Sequence, residues 1–361
     1  MRFPEFSGEW EKVLLSSACE INPMTGSLDN QFLYIDLESV VKGSLVKRQI
    51  IEKDGAPSRA QRVLKENDIL YQCVRPYQLN NYIFEGDTIQ CVASTGYAQL
   101  RTTQFPLYIF QALHTKQFTN QVLERCTGTN YPAINSSDLG TVEVPICSLP
   151  EQVKIGSLLA LIDSRIKTQN KIIEEQETFL KSLADKLFLQ NNHYCQLSEI
   201  VNIVKGKQLN ADTLSETGDY YVMNGGITPS GYYSEYNVPA GAISISEGGN
   251  SCGYVQFNEK PFWSGGHCYS LQCRTNLVDY KYIYYYLKTK EADVMALRIG
   301  SGLPNIQKKD IEKFTISYPS LQLQKQFVKA LDALSGKINT EKNLLEKYCQ
   351  QKSYLLSQMF I

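Results

Sequence analysis

The chain has 361 residues, of which 43% are hydrophobic, and its formal net charge is −1. This length favours more than one domain. No apolar run reaches the roughly 18 residues that a membrane helix needs, and residues 1–11 carry no signal-peptide core, so we expect a cytoplasmic protein. The ten cysteines form no CxxC pair, which leaves His267, Cys268 and Cys273 as the cluster to consider for a metal. We expect buried thiols and no metal site.

The small net charge hides an asymmetry near the start of the chain. Residues 1–40 carry two basic and seven acidic side chains, whereas residues 41–75 carry eight basic and four acidic ones. Phosphate binding depends on such a local basic patch and not on the global charge.

Residues 1–150 are predicted to form short strands joined by turns. Strands are expected at 69–74, 82–84 and 107–110, and a helix at 116–126. Arg59 and Arg62 follow Gly55 and Pro57, which predicts a loop for both arginines.

Residues 151–191 are predicted to form one long helix. Alternating steps of four and three residues define a seam in which eight of ten positions are apolar. The seam consists of Ile155, Leu159, Ile162, Ile166, Gln169, Ile173, Gln176, Leu180, Leu183 and Leu187. A 3.5-residue spacing keeps such a seam facing a partner helix.

Residues 192–318 are predicted to form a second strand-rich domain, with strands at 242–246 and 254–257 and a helix at 280–297. A second long helix is expected at 319–361. Its seam consists of Phe327, Leu331, Leu334, Ile338, Glu341, Leu345, Tyr348, Lys352, Leu355 and Met359. Gly336 lies inside this helix and predicts a local weakness, because glycine costs about 1 kcal/mol in a helix interior.

A duplication at a fixed offset of 172 residues joins the two halves of the chain. Its first copy contains Pro132, Asp138, Val144, Leu149, Gln152, Leu159, Ile166, Glu174, Leu183 and Phe188, and its second contains Pro304, Asp310, Ile316, Leu321, Gln324, Leu331, Ile338, Glu346, Leu355 and Phe360. We therefore expect an α+β fold with two β-rich domains, each followed by a long helix. Each helix could pack on its own domain, but the matched seams favour an antiparallel coiled coil with pseudo-two-fold symmetry. Such symmetry would suit duplex DNA, with one domain in each of two grooves.

Several segments resemble type I restriction–modification specificity subunits. They are RFPEF with EWE at 2–11, PSRA at 57–60, NDIL at 67–70, VRPY at 74–77, the stretch 221–232 around NGGI, the helix openings at 150–155 and 321–327, and LLSQMF at 355–360. Together they cover nearly the whole chain.

The resemblance implies that residues 1–150 and 192–318 are target-recognition domains, each reading one half of a split DNA sequence. It implies that the helices 151–191 and 319–361 set the spacing between the halves. It also implies two modification (methyltransferase) subunits that use S-adenosylmethionine, and restriction (translocase/nuclease) subunits that use ATP and Mg²⁺. No cofactor is expected in this chain.

The sequence supports this division of labour through the motifs that it lacks. It has no Asn/Asp-Pro-Pro-aromatic methyltransferase motif, and Gly206-Lys207 lacks the other residues of a P-loop. We therefore expect no catalytic residue. Two alternatives stay open: a non-enzymatic coiled-coil scaffold without DNA specificity, and an enzyme with its active site between the domains.

Candidate DNA-binding residues occur in both domains. The first domain offers Ser58, Arg59, Arg62, Arg75, Tyr97 and Arg101, and the second offers Lys205, Lys207, Asn224 and Thr228. A loop arginine can bond guanine O6 and N7 or a phosphate, and an asparagine amide can pair with adenine N6 and N7. Asn224 is also typical of a turn, because two glycines follow it. Ser246, Asn250 and His267 are further candidates, although we interpret His267 first as a structural histidine.

Overall fold

A computed structural model describes residues 2–24, 26–189, 192–300, 302 and 304–360. The chain divides into two compact units, one formed by Met1–Lys171 with Asn343–Ile361 and the other by Ile172–Lys342. The division falls inside the two long helices, so each unit contains one β-rich domain and part of both helices.

The first unit begins with a β-rich domain. Its strands are β1 (Glu11–Leu14), β2 (Cys19–Ile21), β3 (Gln31–Ile35), β4 (Val40–Val41), β5 (Ser44–Leu45), β6 (Gln49–Glu52), β7 (Ala60–Val63), β8 (Ile69–Gln72), β9 (Tyr82–Ile83), β10 (Cys91–Ser94), β11 (Tyr97–Thr102) and β12 (Glu143–Ile146). Its helices are α1 (Leu15–Ala18), α2 (Pro106–Ala112), α3 (Lys116–Arg125), α4 (Ser136–Gly140) and α5 (Leu149–Phe188).

Two of these elements bear on the sequence predictions. Residues 107–110 lie in α2, so the strand predicted there is wrong: Pro106 occupies a first-turn position, where its fixed φ favours a helix. Arg62 lies in β7, so the loop predicted for it is also wrong, whereas Arg59 lies in the turn before that strand.

The strands of the first unit form two four-stranded sheets. The sheet that we call the frame sheet has the order β2-β11-β8-β9 and is antiparallel throughout. The second, which we call the outer sheet, has the order β6-β3-β10-β7 and contains a parallel pair, β10 with β3. A separate antiparallel pair, β1 with β12, leads into α5.

The second unit repeats much of this order. Its strands are β13 (His193–Gln196), β14 (Val201–Lys205), β15 (Tyr220–Met223), β16 (Tyr232–Tyr233), β17 (Ala242–Ser246), β18 (Val255–Asn258), β19 (Trp263–Ser264), β20 (Cys268–Cys273) and β21 (Thr315–Tyr318). Its helices are α6 (Leu197–Ile200), α7 (Tyr280–Thr289), α8 (Glu291–Ala296), α9 (Lys308–Glu312) and α10 (Leu321–Met359). The helix predicted at 280–297 is divided at Lys290, whose φ and ψ of −95° and 21° are not helical.

The frame sheet of the second unit is equivalent to that of the first. Its order is β14-β20-β17-β18, again antiparallel, and the pair β13 with β21 corresponds to β1 with β12. The equivalent register pairs are Leu100 with Ile21 and Ile69, and Leu271 with Ile203 and Ile243. The outer sheet differs, because here it is three-stranded with the order β16-β15-β19.

The repeated pair Gln152 and Gln324 shows how closely the two copies agree. Each side chain is almost fully buried. The Oε1 of each accepts from the backbone N–H at the N-cap of α2 or α7, at 3.1 and 2.7 Å. The Nε2 of each donates to the carbonyl just after β12 or β21, at 2.8 and 2.9 Å. These bonds tie each long helix to its domain.

The long helices α5 and α10 contain 40 and 39 residues. Every position of both predicted seams is buried or half-buried. In the first unit, Ile155 and Leu159 share a core with Met359 and Phe360. An ion pair of 2.5 Å joins Asp163 to Lys352 further along. The start of α5 therefore packs beside the end of α10, and the two helices run antiparallel in this unit.

The same arrangement holds in the second unit with the other halves of the helices. Ala184 and Phe188 share a core with Phe327 and Leu331. Lys342 pairs with Glu177 at 2.6 Å. This architecture confirms the α+β fold class predicted from the sequence. Among the described residues, no helix is long and apolar enough to cross a membrane.

Candidate nucleic-acid interface

In the first unit, three segments meet at the end of the frame strand β8, and we call residues 73–75, 94–96 and 127–134 the first junction. The backbone N–H of Cys73 donates to the carbonyl of Gly96 at 3.0 Å, and its own carbonyl accepts from Ile134 at 3.0 Å. Within the segment 127–134, Thr127 and Ala133 exchange two backbone hydrogen bonds, which close this segment into a loop. Three loops are thus fixed around one point.

The second unit has the same arrangement at the end of β17, and we call residues 247–249, 265–267 and the described part of 299–306 the second junction. Here Glu247 donates its N–H to the carbonyl of His267 at 2.9 Å and accepts from Ile306 at 2.8 Å. Ile299 and Asn305 close the loop. The backbone bonds correspond one by one, whereas the side chains at the corresponding positions differ.

Arginines and an aromatic ring are grouped at the first junction. Arg75 has a left-handed φ of 54°, and its guanidinium lies 4.3 Å from the ring centre of Tyr131, which is 64% exposed. The carbonyl of Arg59 accepts from the N–H of Thr95 at 2.9 Å, which holds the exposed Arg59 beside the 94–96 turn. Ser58 is exposed in the same turn.

The other three candidates of the first domain are tied into it. Arg62 is half-buried opposite Ala93, and burial lowers the pKa of its guanidinium. Tyr97 is 1% exposed, its hydroxyl donates to the carbonyl of Asp36, and burial raises its pKa. Arg101 makes two bonds of 2.8 and 2.7 Å to Asp68, whose side chain is 1% exposed. Their part in DNA binding stays a prediction.

A charged cluster occupies the second junction. The carboxylate of Glu247, 9% exposed, accepts from Lys205 Nζ at 2.7 Å and lies 3.5 Å from His267 Nδ1. Tyr269 donates its hydroxyl to the same carboxylate at 2.9 Å. The side chain of His267 is 63% exposed, and its role as a structural histidine stays a prediction.

Asn224 closes the cluster from a neighbouring loop. Its Oδ1 accepts from the backbone N–H of His267 at 3.1 Å, and Ser246 donates its hydroxyl to the carbonyl of Gly225 at 2.6 Å. Both observations agree with the turn interpretation of Asn224, whose own amide is half-buried. Lys207 and Thr228 are exposed on adjoining loops.

Glycines allow these loops to approach one another. A Cβ on Gly206 would lie 2.2 Å from the carbonyl oxygen of Gly265, and one on Gly265 would lie 2.6 Å from Asn224 Oδ1. Loops 206–208, 224–226 and 264–267 can therefore be this close only with glycine at these positions.

Sequence reasoning missed two residues of the junctions, Glu247 and Tyr131. Glu247 directly follows a buried strand, where an acidic residue is unusual, and that was the available signal. Tyr131 directly precedes Pro132, where the repeat begins. Among the described residues, no group of three His, Cys, Asp or Glu side chains could hold a metal ion.

Comparison with known proteins agrees with the duplicated architecture. Residues 8–178 and 191–347 each match the family described as type I restriction modification DNA specificity domain. A putative type I specificity subunit of Mycoplasma genitalium is 27% identical over 270 residues, which is 70% of either chain. One from Mycoplasma pneumoniae is 33% identical over 152 residues, covering 42% of this chain and 40% of that one.

The solved structure of a type I restriction–modification S subunit from M. genitalium superimposes with a TM-score of 0.71 at 21% identity, covering 98% of this chain and 96% of that one. This likeness agrees with a duplicated fold of two β-rich domains, each followed by a long helix. The chain belongs to the type I restriction–modification DNA specificity family.

Proposed function

We propose that this chain is the DNA-recognition subunit of a type I restriction–modification complex and that each β-rich domain reads one half of a bipartite site. The observation that supports this proposal is the pair of junctions. Their backbones are bonded alike, yet one carries Arg59, Arg75 and Tyr131 and the other carries Lys205, Glu247 and His267. The same backbone arrangement with different side chains suits two domains that recognise different DNA sequences.

The proposal assigns catalysis to partner subunits. Two modification subunits would methylate adenine with S-adenosylmethionine, and restriction subunits would use ATP and Mg²⁺. The paired helices α5 and α10 would set the number of unread base pairs between the half-sites. We expect the complex in the cytoplasm, together with its DNA.

The test is co-expression of the chain with type I methyltransferase and restriction subunits, followed by sequencing of the methylated adenines. We expect one split motif. Exchange of residues 1–150 for those of another specificity chain should replace one half of the motif, and exchange of 192–318 should replace the other half. The two exchanges serve as controls for each other.

Three results would contradict the proposal. A methylated motif that stays the same after both exchanges would show that the two domains do not recognise the DNA sequence. A methyltransferase that is active with another specificity chain, but inactive with this one, would instead favour a protein scaffold. Methylation or cleavage by the purified chain without partners would favour an enzyme.

A further inference from the structure

Glu247 is a buried carboxylate, and two of its three partners reach the solvent. Its Oε1 accepts from Lys205 Nζ at 2.7 Å and from the Tyr269 hydroxyl at 2.9 Å, and its Oε2 faces His267 Nδ1. The carboxylate side chain is 9% exposed, whereas those of Lys205 and His267 are 54% and 63% exposed. One buried acid therefore orients two exposed polar groups at the second junction.

The fold itself does not require this acid. In the first unit the equivalent position is Cys73, which makes the same two backbone bonds with a buried thiol side chain. Burying a carboxylate costs free energy unless it is fully paired. Because the same backbone forms without that cost in one copy, the geometry of the junction does not require a charge at this position.

The pairing also decides what Lys205 can bind. Glu247 balances the positive charge of Lys205, which weakens the attraction to a phosphate, since that attraction depends on net charge. The ammonium group has three N–H donors, and the carboxylate holds one of them. An oriented donor with balanced charge suits the acceptors on a base edge, such as guanine O6 and N7.

The neighbouring backbone at Gly249 is not covered by other parts of the chain. Gly249 has a φ of +74° and nothing within 4 Å of where its Cβ would be. We infer that Glu247 is a positioning residue that holds Lys205 and His267 to read base acceptors in the half-site of the second domain. This inference rests on the proposed function. It adds which residues contact the bases, Lys205 and His267, and which base groups they contact, the hydrogen-bond acceptors.

The experiment uses the complex of this chain with its methyltransferase subunits. Once the motif of the wild-type complex is mapped, methylation rates are measured on duplexes that carry each base substitution in the second half-site. We expect Glu247→Gln and Lys205→Ala to lose discrimination by about 5- to 150-fold at the same guanine-containing base pair. Discrimination in the first half-site should not change.

Asp332→Asn is the matched control. Its carboxylate also accepts from a lysine, Lys281 at 2.8 Å, and from a tyrosine hydroxyl, Tyr285 at 2.7 Å, but it lies on α10. We expect this variant to retain the full motif. A motif relaxed equally by Asp332→Asn would show that loss of any such carboxylate has the effect, and would overturn the assignment to Glu247.

Two further outcomes overturn the inference. Unchanged discrimination at every position would make Glu247 purely structural. Uniform loss on all duplexes, with a shallower salt dependence, would make Lys205 a phosphate contact. If Glu247→Gln does not fold, as judged by its thermal unfolding, the exposed Lys205 variant decides alone. A wild-type complex without a split motif would instead contradict the proposed function.

Discussion

The outer sheet of the first unit has four strands in the order β6-β3-β10-β7, and that of the second has three in the order β16-β15-β19. The frame sheets beside them share strand order, direction and register. A frame fixed by backbone bonds and buried apolar side chains tolerates little change, because packing and hydrogen bonds must all be satisfied together. The outer sheets are packed on apolar cores of their own, and they differ in strand number while the junctions beside them keep the same backbone bonds.

The largest expected effect concerns the frame and its helices. Leu159→Ala and Leu331→Ala remove equivalent, fully buried side chains from α5 and α10. Each should lower the free energy of unfolding by about 2–5 kcal/mol, through lost burial and the cavity left behind. Denaturant unfolding measures this, with the 65% exposed Leu161→Ala as a control that should have little effect. A loss at one position and not the other would show that the two copies are not equivalent.

The next effect concerns the junctions. Arg59→Ala removes an exposed guanidinium held beside the 94–96 turn, and should weaken DNA binding by the complex by about 1–3 kcal/mol. Only the half-site of the first domain should be affected. Lys12→Ala, an exposed cation on β1, is the control for charge alone. Unchanged affinity together with an unchanged motif would exclude Arg59 from the interface.

A pH effect should distinguish the two copies of the frame. Burial lowers the pKa of His114 from 6.5 to about 4, with smaller effects from Lys352 and Asp163. Its Nδ1 bonds the carbonyl of Phe110 at 2.6 Å, a bond that opposes part of this shift because the protonated ring can also donate it. Because the folded pKa is the lower one, the unfolded chain binds a proton first, so stability falls as the pH drops from 6.5 towards 4.

At pH 5 this difference amounts to about 2 kcal/mol. Denaturant unfolding at pH 7 and pH 5 should therefore show a smaller pH-dependent loss for His114→Asn than for the wild type. The equivalent position in the second copy is Lys288, which pairs with Glu291 at 2.6 Å, so that copy has no histidine at this place. Equal pH-dependent losses in the two proteins would mean that His114 is protonated while folded.

The smallest effect concerns two helix glycines, whose replacement by alanine should change the free energy of unfolding in opposite directions. A Cβ on Gly336 would meet nothing within 4 Å, so Gly336→Ala should raise the free energy of unfolding by about 0.5–1 kcal/mol. A Cβ on Gly156 would lie 2.7 Å from the backbone nitrogen of Tyr108, so Gly156→Ala should lower it. Thermal unfolding compares the two variants, and the same sign for both would contradict this explanation.

The helices were the part of the fold that sequence alone could predict well. The repeat at an offset of 172 and the 3.5-residue seam are local periodic signals, and every seam position is indeed buried or half-buried. Strands at 69–72 and 242–246 were also found from short apolar runs. The strand predicted at 107–110 failed because such a run can equally form a buried helix.

The candidate interface was much harder to predict. The first junction joins residues 73, 96 and 134 through backbone bonds that no side-chain pattern reveals. Arg101 is of a residue type that commonly contacts DNA, yet its side chain pairs with Asp68, a buried partner 33 residues away. Glu247 was missed because its neighbours Lys205 and His267 come together only through strand pairing.

The sharing of both long helices between the units also affects when the first unit can be completed during synthesis. The hydrophobic core of the first unit contains Met359 and Phe360, packed beside Trp10 and Tyr108. Residues 343–360 leave the ribosome only after the whole of the second unit has been made. The nascent first domain must therefore wait with this apolar surface uncovered, a period in which contacts with chaperones or with another nascent chain can compete.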